Sequence, residues 1–264
     1  MHALAAKFLG LAVILVLMTI VWADSVRRKD ASVVDRWWGA LFVVLGVLYA
    51  SVSDGPVGRR VLLAVLVTVW GLRLAGYITW RNSGEPEDKR YQAMRAKNPE
   101  TFAKRSLFSI FWLQGVLAWT ISAPLFYPHF LTGARELYWL DFVGVAVWLI
   151  GFAFEAGGDF QLQRFLADPA NKGKVMDKGF WRYTRHPNYF GDVAVWVGYA
   201  IIATAAGAWW AWYGTILMAL FIIKVSGVAL TDRNMAASSS TREGYDEYVR
   251  RTNAFLPWFP KGAE

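Results

Sequence analysis

The segment KGFWRYTRHPNYFGD, residues 178–192, carries the densest polar and aromatic chemistry of an otherwise apolar chain. Pro187 within it precedes an apolar run, and proline suits the first turn of a helix because its missing N–H would be unpaired there anyway. Arg185 and His186 come just before that turn. A helix N-terminus flanked by cations is typical of an anion site, and arginine binds phosphate through a planar fork of donors. The segment therefore predicts a phosphate-binding helix start.

The neighbouring side chains fit the rest of a nucleotide cofactor. The Asn188 amide can donate to and accept from a planar carboxamide, and Tyr183 and Tyr189 offer ring faces for stacking. Phosphates on the basic residues and an amide-bearing ring at Asn188 would together describe a dinucleotide. The chain has no Gly-x-Gly-x-x-Gly segment, so we expect such a cofactor to bind outside a Rossmann fold.

Ionisable residues also interrupt the apolar stretches, where charge is costly and a functional role is the default hypothesis. They are Arg73, Glu155, Asp159, Asp192 and Lys224. Glu155 and Asp159 are four residues apart and share one helix face, so they would repel without a cation or donor between them. One interpretation is a structural ion-pair network. The other is a polar cavity at the cytoplasmic side, since Asp159, Asp192 and Lys224 are predicted near the same ends of their helices.

Helices must position these side chains, because the apolar residues come in blocks. The 264 residues are 56% hydrophobic, and about 20 apolar residues suffice for a helix to cross a bilayer. Seven helices are predicted, at 3–23, 37–52, 57–80, 107–127, 139–160, 188–205 and 208–230. We expect the first to be retained rather than cleaved as a signal peptide, since no small-x-small site precedes its polar end. The predicted fold is an all-α, polytopic membrane protein in a single domain.

The basic residues lie in alternate loops and predict the orientation of the chain. Lysine and arginine concentrate in 24–36, 81–106, 161–187 and the C-terminal tail, which would be cytoplasmic by the positive-inside rule. The N-terminus would then be outside and the C-terminus inside. These loops also account for the net charge of +8, so nucleic acid is not an expected partner. Loop 81–106 is either a lid over the site or a solvated basic loop.

A metal site is not expected. The chain has no cysteine, and its three histidines are far apart and lack the spacing of metal ligands.

The segments DFQLQRFLADPANKGKVMDKGFWRYTRHPNYFGD, GYDEYVRRTNAFLPWFP and GLRLAGYITWRNSGEPEDKRY resemble the steroid 5-alpha-reductase C-terminal domain superfamily. Within it the chain is similar to a bacterial branch of unknown function, related to sterol reductases and isoprenylcysteine carboxyl methyltransferases. The resemblance implies an integral protein of the bacterial inner membrane. It also implies a substrate-side half at 1–106 and a cofactor-binding half at 107–264.

The resemblance further implies NADPH as cofactor and hydride transfer to the carbon–carbon double bond of a lipophilic enone. Asn188 would hold the nicotinamide carboxamide, Asp159 would contact the cofactor from the fifth helix, and Tyr189 and Asp192 would lie beside it. The predicted cofactor-binding set is Arg73, Asp159, Arg164, Tyr183, Arg185, His186, Asn188, Tyr189, Asp192 and Lys224.

The substrate half departs from the steroid enzymes. Their second helix carries a Gln-Glu pair and their third a tyrosine, whereas here the second helix reads DRWWGALFVVLGVLYAS and Trp70 takes the tyrosine position. Tyr77 and Asp35 are the predicted catalytic substitutes, and an unsaturated lipid other than a steroid is the expected substrate. Two alternatives remain open. One is an S-adenosylmethionine-dependent methyltransferase of the isoprenylcysteine type, and the other is a non-catalytic membrane protein that has kept the fold.

Overall fold

The computed structural model describes residues 1–131, 136–228, 231 and 242–262, without the side chain of residue 226. It is 77% helical, and no strand occurs in the part of the chain that it describes. The all-α prediction is therefore confirmed. Eleven α-helices are labelled in chain order: α1 Ala3–Arg28, α2 Val33–Val52, α3 Val57–Arg81, α4 Lys89–Lys97, α5 Phe102–Ser106, α6 Leu113–Ile121, α7 Ala123–Phe126, α8 Trp139–Ala167, α9 Pro187–Ala205, α10 Trp212–Leu220 and α11 Tyr245–Arg251.

Four of these helices are long and apolar enough to cross a membrane, namely α1, α2, α3 and α8. A fifth span results if the pair Phe102–Ile121 and Ala123–His129, bent by 55°, counts as one. These helices indicate an integral membrane protein. The count of described spans is thus four or five instead of the seven predicted. The sixth predicted span corresponds to α9, which opens with the polar sequence PNYFGD, and the seventh to an apolar helix that covers only Trp209–Val225.

Unit 1 is the first of two compact units and comprises Met1–Tyr138 and Ala203–Gly214. In it α2 and α3 approach so closely that a side chain on Gly39 would collide with the backbone carbonyl of Gly71. Phe42 and Trp70 are fully buried beside this contact, with ring centroids 5.7 Å apart. Trp70 is therefore a packing residue of unit 1.

Within unit 1 the segment after α3 folds back onto the start of α2. The Glu87 carboxylate accepts a hydrogen bond from the backbone N–H of Ala31 at 2.7 Å, and the Ser32 hydroxyl accepts one from the N–H of Asp88 at 2.7 Å. The Asp88 carboxylate caps α4 by accepting from the N–H of Arg90. The segment 81–106 thus contains two helices, one of which is fastened to α2.

Unit 2 comprises Trp139–Ile202 and Thr215–Glu264, and its α8 and α9 pack through a seam of glycines. These glycines are spaced seven residues apart: Gly144, Gly151 and Gly158 on α8, and Gly191 and Gly198 on α9. A Cβ on Gly151 would lie 2.5 Å from the Val195 nitrogen and 2.7 Å from the Gly191 carbonyl oxygen. Small residues allow the two backbones to come this close. The seam brings the carboxylates of α8 beside the first turns of α9.

Candidate functional site

In unit 2 the start of α9 lies against the C-terminal part of α8. This end of α8 is the one predicted to face the cytoplasm. A Cβ added at Gly158 would lie 3.1 Å from the Pro187 ring and 3.2 Å from the backbone nitrogen of Asn188, so the absence of a side chain at Gly158 lets the two helices approach closely. The Asn188 amide donates to the buried Asp159 carboxylate at 3.0 Å, and its oxygen accepts from the backbone N–H of Tyr189 at 3.1 Å. The structure therefore brings together Asp159 and Asn188, which the sequence predicted as members of one site.

The Asn188 side chain has hydrogen-bonding capacity beyond these two bonds. A primary amide offers two N–H donors and two acceptor lone pairs. The bonds to Asp159 and to Tyr189 use one donor and one lone pair. Among the described residues, no other group uses the remaining donor and acceptor in the plane of the amide. A carboxamide such as that of nicotinamide complements this pattern. This donor set fits the cofactor that the sequence predicts.

His186 and Tyr189 flank this amide. Their rings stack with centroids 5.5 Å apart and planes inclined by 25°. His186 is buried, and the Tyr189 hydroxyl lies 3.2 Å from the Thr231 hydroxyl. Asp192 follows Asn188 by four residues on α9 and hence lies on the same helix face.

The turn that leads into α9 is anchored to α8. The Gln161 side-chain oxygen accepts from the backbone N–H of Phe180 at 2.9 Å, and the Trp181 indole donates to the Gly158 carbonyl at 3.0 Å. Gly179 has a φ of +59°, a left-handed conformation that favours glycine. Gln161 was not predicted as a site residue, because its partner Phe180 is 19 residues away in the chain.

The C-terminal tail pairs with the residues just before α9. Arg185 donates its backbone N–H to the Asn253 carbonyl at 2.9 Å, and Trp258 donates to the Tyr183 carbonyl at 2.9 Å. The fully buried Thr184 hydroxyl lies within 3.2 Å of the carbonyl oxygens of Ala254 and Phe255. Two segments that the sequence linked only by resemblance are therefore joined by hydrogen bonds.

Tyr248 of α11 completes this pairing. Its hydroxyl donates to the Trp181 carbonyl at 2.6 Å. Burial raises the pKa of Tyr248, so the hydroxyl keeps its proton and stays a donor. Neither Thr184 nor Tyr248 was predicted, since their partners are more than 60 residues away in the chain.

The cations that are predicted to bind phosphate differ in their contacts and in their exposure. The Arg185 guanidinium donates from Nη1 to the carbonyls of Val249 and Thr252, each at 3.2 Å, and so binds the C-terminal end of α11. Arg164 is exposed, with its guanidinium carbon 5.6 Å from the Phe160 ring centroid. Lys224 is exposed on the π-helical turn Phe221–Ser226 that follows α10. Their contacts with phosphate stay predictions.

The predicted residues of unit 1 form two groups. In the first, the Arg73 guanidinium carbon lies 5.3 Å from the Tyr77 ring centroid and that of Arg81 lies 5.6 Å from it. The Tyr77 ring is thus in cation–π range of two arginines. Asp35 belongs to the second group.

Asp35 is hydrogen-bonded to the buried Tyr91 of α4. The Tyr91 hydroxyl donates to Asp35 Oδ1 at 2.9 Å, Gln114 Nε2 donates to the Tyr91 oxygen at 3.4 Å, and Arg90 Nη2 lies 3.2 Å from Asp35 Oδ2. Burial, and then the negative charge of Asp35, raise the pKa of Tyr91. The hydroxyl is therefore held protonated. The sequence analysis missed Tyr91 and Gln114, because only folding brings positions 35, 91 and 114 together.

Comparison with known proteins gives the family. Residues 21–252 match the family described as "Protein of unknown function (DUF1295)". The chain belongs to this family. A Schizosaccharomyces pombe protein described as uncharacterized is 24% identical over 244 residues, which cover 78% of this chain and 69% of the yeast protein. No solved structure matches the chain significantly.

A second relative has a name that states an activity. The Bos taurus protein 3-oxo-5-alpha-steroid 4-dehydrogenase 1 is 35% identical over 83 residues. The match covers 31% of this chain and 28% of the bovine protein. This distant similarity agrees with the resemblance to the steroid 5-alpha-reductase superfamily, while membership of a bacterial branch stays a prediction.

Proposed function

We propose that this DUF1295 protein is an NADPH-dependent membrane reductase that transfers a hydride to a carbon–carbon double bond of a lipophilic substrate. The similarity to the bovine steroid dehydrogenase supports a reductase-like family. The observation that carries the proposal is the Asn188 amide, oriented by Asp159 with one donor and one acceptor left in its plane.

In this proposal residues of the predicted cofactor-binding set hold the cofactor. Asn188 would bind the nicotinamide carboxamide, Asp159 would keep the amide in place, and the ring of Tyr189 would lie beside the nicotinamide. Phosphate groups would bind to exposed cations of the predicted set, of which Arg164 and Lys224 are the most accessible. When bound, NADPH would supply the hydride.

The proton that accompanies the hydride would come from the proposed catalytic residues. Tyr77 and Asp35 remain the proposed catalytic residues, and the contacts of Asp35 add Tyr91 as a positioned, protonated hydroxyl. Because the Tyr91 hydroxyl donates its one proton to Asp35, Tyr91 would orient the Asp35 carboxylate and would not itself donate to the substrate. The substrate would be an unsaturated lipid, since Trp70 is packed in the core where the steroid enzymes have a tyrosine.

The alternatives are not favoured. The relative whose name states an activity is a dehydrogenase, which gives no support to methyl transfer or to a non-catalytic role. We further propose the bacterial inner membrane as the location, with the N-terminus outside, the C-terminus in the cytoplasm and seven crossings. Membrane lipid and a lipophilic small molecule would be the partners.

The proposal is tested by thermal unfolding of the detergent-purified protein with NADPH, NADH or S-adenosylmethionine. A ligand that binds only the folded state raises the unfolding midpoint by mass action. We expect NADPH to raise it and S-adenosylmethionine to leave it unchanged. A shift with S-adenosylmethionine alone would replace the reductase by a methyltransferase, and no shift with any ligand would favour a non-catalytic protein.

The Asn188→Ala variant tests whether the Asn188 amide binds the cofactor. Loss of one buried amide interaction should weaken NADPH binding by about 1–3 kcal/mol, which is about 5- to 150-fold. The matched control is Asn171→Ala, which removes an amide that donates to the Phe165 carbonyl elsewhere in unit 2. The control should keep the NADPH affinity, and an equal loss in both variants would remove Asn188 from the site.

A further inference from the structure

Unit 1 contains a cavity of about 420 Å³ beside α4 and α5. It is open on one side and is lined by both apolar and polar side chains. Its apolar lining includes Met94, Phe102 and Phe108, and its polar lining includes Lys97, Asn98 and Arg105. A cavity with these two kinds of lining is suited to an amphiphile rather than to a purely apolar or purely ionic ligand.

The cavity lies at the junction of a basic segment and an apolar helix. Residues 89–105 contain six lysines and arginines and one glutamate. The helical stretch Phe102–Ile121, part of a candidate span, begins inside this segment. Phe108 is 60% exposed and Met94 40% exposed, so both present apolar surface outwards. Such a junction is where the head groups of a bilayer meet its acyl chains.

The two cations that line the cavity differ from Arg90 and Arg95, the two arginines of α4 that have acidic partners. Arg90 pairs with Asp35 and Asp88, and Arg95 pairs with Glu87 at 2.7 Å. Lys97 and Arg105, in contrast, form no salt bridge with any residue that the structure describes. Arg105 is nevertheless positioned, because its Nη1 donates to Asn98 Oδ1 at 3.3 Å. Two cations without an acidic partner among the described residues thus line a cavity that also has apolar walls.

A π-helical turn adds a further feature to the wall of the cavity. Leu107–Trp112 is π-helical and contains Phe108. Turns of this kind are rare and occur frequently at functional sites. This turn was not predicted from the sequence.

We propose that this cavity binds an anionic phospholipid, with the head-group phosphate between Lys97 and Arg105 and an acyl chain over Phe102 and Phe108. The charge of the two unpaired cations favours a phosphate, and basic pockets beside membrane helices are suited to anionic head groups. The apolar half of the cavity gives a chain-bearing lipid an advantage over a free anion. None of the residues that line this cavity belongs to the proposed cofactor-binding set, and the proposal does not rest on reductase activity.

The test uses the full-length protein in a neutral detergent at about 0.15 M salt, where the attraction between distant charges is screened. Phosphatidylglycerol, phosphatidylcholine and inorganic phosphate are titrated separately, and binding is followed by the unfolding midpoint and by native mass spectrometry. We expect phosphatidylglycerol to bind more tightly than either of the other probes. Equal binding of phosphatidylcholine, or equal binding of inorganic phosphate, would overturn the proposal.

Matched charge variants locate the site. The double variant Lys97→Gln/Arg105→Gln should weaken phosphatidylglycerol binding by about 30-fold, since each cation near an anionic lipid surface contributes about fivefold. The control Lys89→Gln/Lys104→Gln removes the same charge from exposed positions of the same segment that do not line the cavity. An equal loss in the control would show diffuse attraction and no site.

A second pair of variants tests the apolar half of the cavity. Phe108→Ala should weaken phosphatidylglycerol binding, whereas Phe8→Ala, which truncates an exposed phenylalanine on α1, should not. Unchanged binding in Phe108→Ala would place the acyl chain elsewhere and overturn that part of the proposal.

Discussion

Asn188 and Arg185 lie three residues apart and have different roles in the structure. The Asn188 amide keeps one donor and one acceptor in its plane after binding Asp159 and the Tyr189 backbone. The Arg185 guanidinium instead binds two carbonyls at the end of α11. A motif that reads as one anion site in the sequence therefore contains both a ligand-binding candidate and a residue that fastens the tail.

The Arg185→Ala variant separates these roles. A hydrogen bond from a charged group to a partly buried carbonyl contributes about 1.5–3 kcal/mol, so the unfolding midpoint should fall. If Arg185 also contacts the 2′-phosphate, NADPH binding should weaken more than NADH binding. Arg164→Ala, which removes an exposed arginine on α8, is the control and should change the midpoint little. Equal losses for NADPH and NADH would restrict Arg185 to its structural role.

At the scale of elements, the glycine seam between α8 and α9 sets how close the carboxylates of α8 come to the start of α9. A Cβ at Gly151 would meet backbone atoms of α9, which cannot move aside as a flexible side chain can. Overpacking of this kind costs about 1–3 kcal/mol.

We expect Gly151→Ala to lower the unfolding midpoint and to weaken NADPH binding, because it separates α8 from α9. The control is Gly76→Ala on α3, where nothing lies within 4 Å of the added carbon. There the same substitution should stabilise the helix by about 0.5–1 kcal/mol. A midpoint for Gly151→Ala equal to that of the unaltered protein would mean that the seam can open without cost.

The helix α4 depends on the Asp88 cap, which makes part of its stability depend on pH. Burial alone would raise the pKa of Asp88. Hydrogen bonds from Arg90 oppose this effect and lower the pKa overall. A carboxylate with a lowered pKa in the folded state contributes stability above its ordinary pKa of about 4, and this contribution is lost as the pH falls below that value.

Two variants of Asp88 test the cap. Asp88→Ala should destabilise the protein by about 1 kcal/mol at neutral pH, and the difference should shrink as the pH falls below about 4. Asp88→Asn keeps a capping oxygen without the charge, so it should be milder at neutral pH and insensitive to acid. If Asp88→Ala lost the same stability at every pH from about 3 to about 7, a range that spans the ordinary aspartate pKa, the capping role of the charged carboxylate would be contradicted.

At the scale of the whole molecule, the number of crossings decides where the termini lie. Four spans place both termini on one side, whereas five or seven place them on opposite sides. The proposed arrangement, with the N-terminus outside and the C-terminus in the cytoplasm, needs an odd number of crossings.

Cysteine labelling tests this topology directly, because the chain has no native cysteine. A membrane-impermeant maleimide applied to intact cells should label Asp54→Cys, in the exposed turn between α2 and α3, and should leave Lys172→Cys and Lys261→Cys unlabelled. All three should react after permeabilisation, which serves as the control. Labelling of Lys261→Cys in intact cells would place the C-terminus outside.

Apolar blocks in the sequence were enough to predict the long helices. The predicted spans 3–23, 57–80 and 139–160 fall within α1, α3 and α8, since burying an uninterrupted apolar run in a membrane requires a helix whatever its neighbours are. The bend near residue 122 was not predicted, because hydropathy does not register a break in direction. The helix predicted at 208–230 is present as the shorter apolar helix Trp209–Val225. The pairing of Asp159 with Asn188 was predicted as membership of one site and appears as a hydrogen bond.

By itself, the sequence determined the all-helical class, the membrane character and the position of the polar segment at the start of α9, because each depends on local composition and period. Only the tertiary structure decided that Arg185 binds the end of α11, that Asp35 pairs with Tyr91, and that Lys97 and Arg105 line a shared cavity. The first two are contacts across more than 50 residues, and the third depends on how α4 folds back beside α5. Such contacts are fixed by which faces pack together, and residue types alone do not specify that packing.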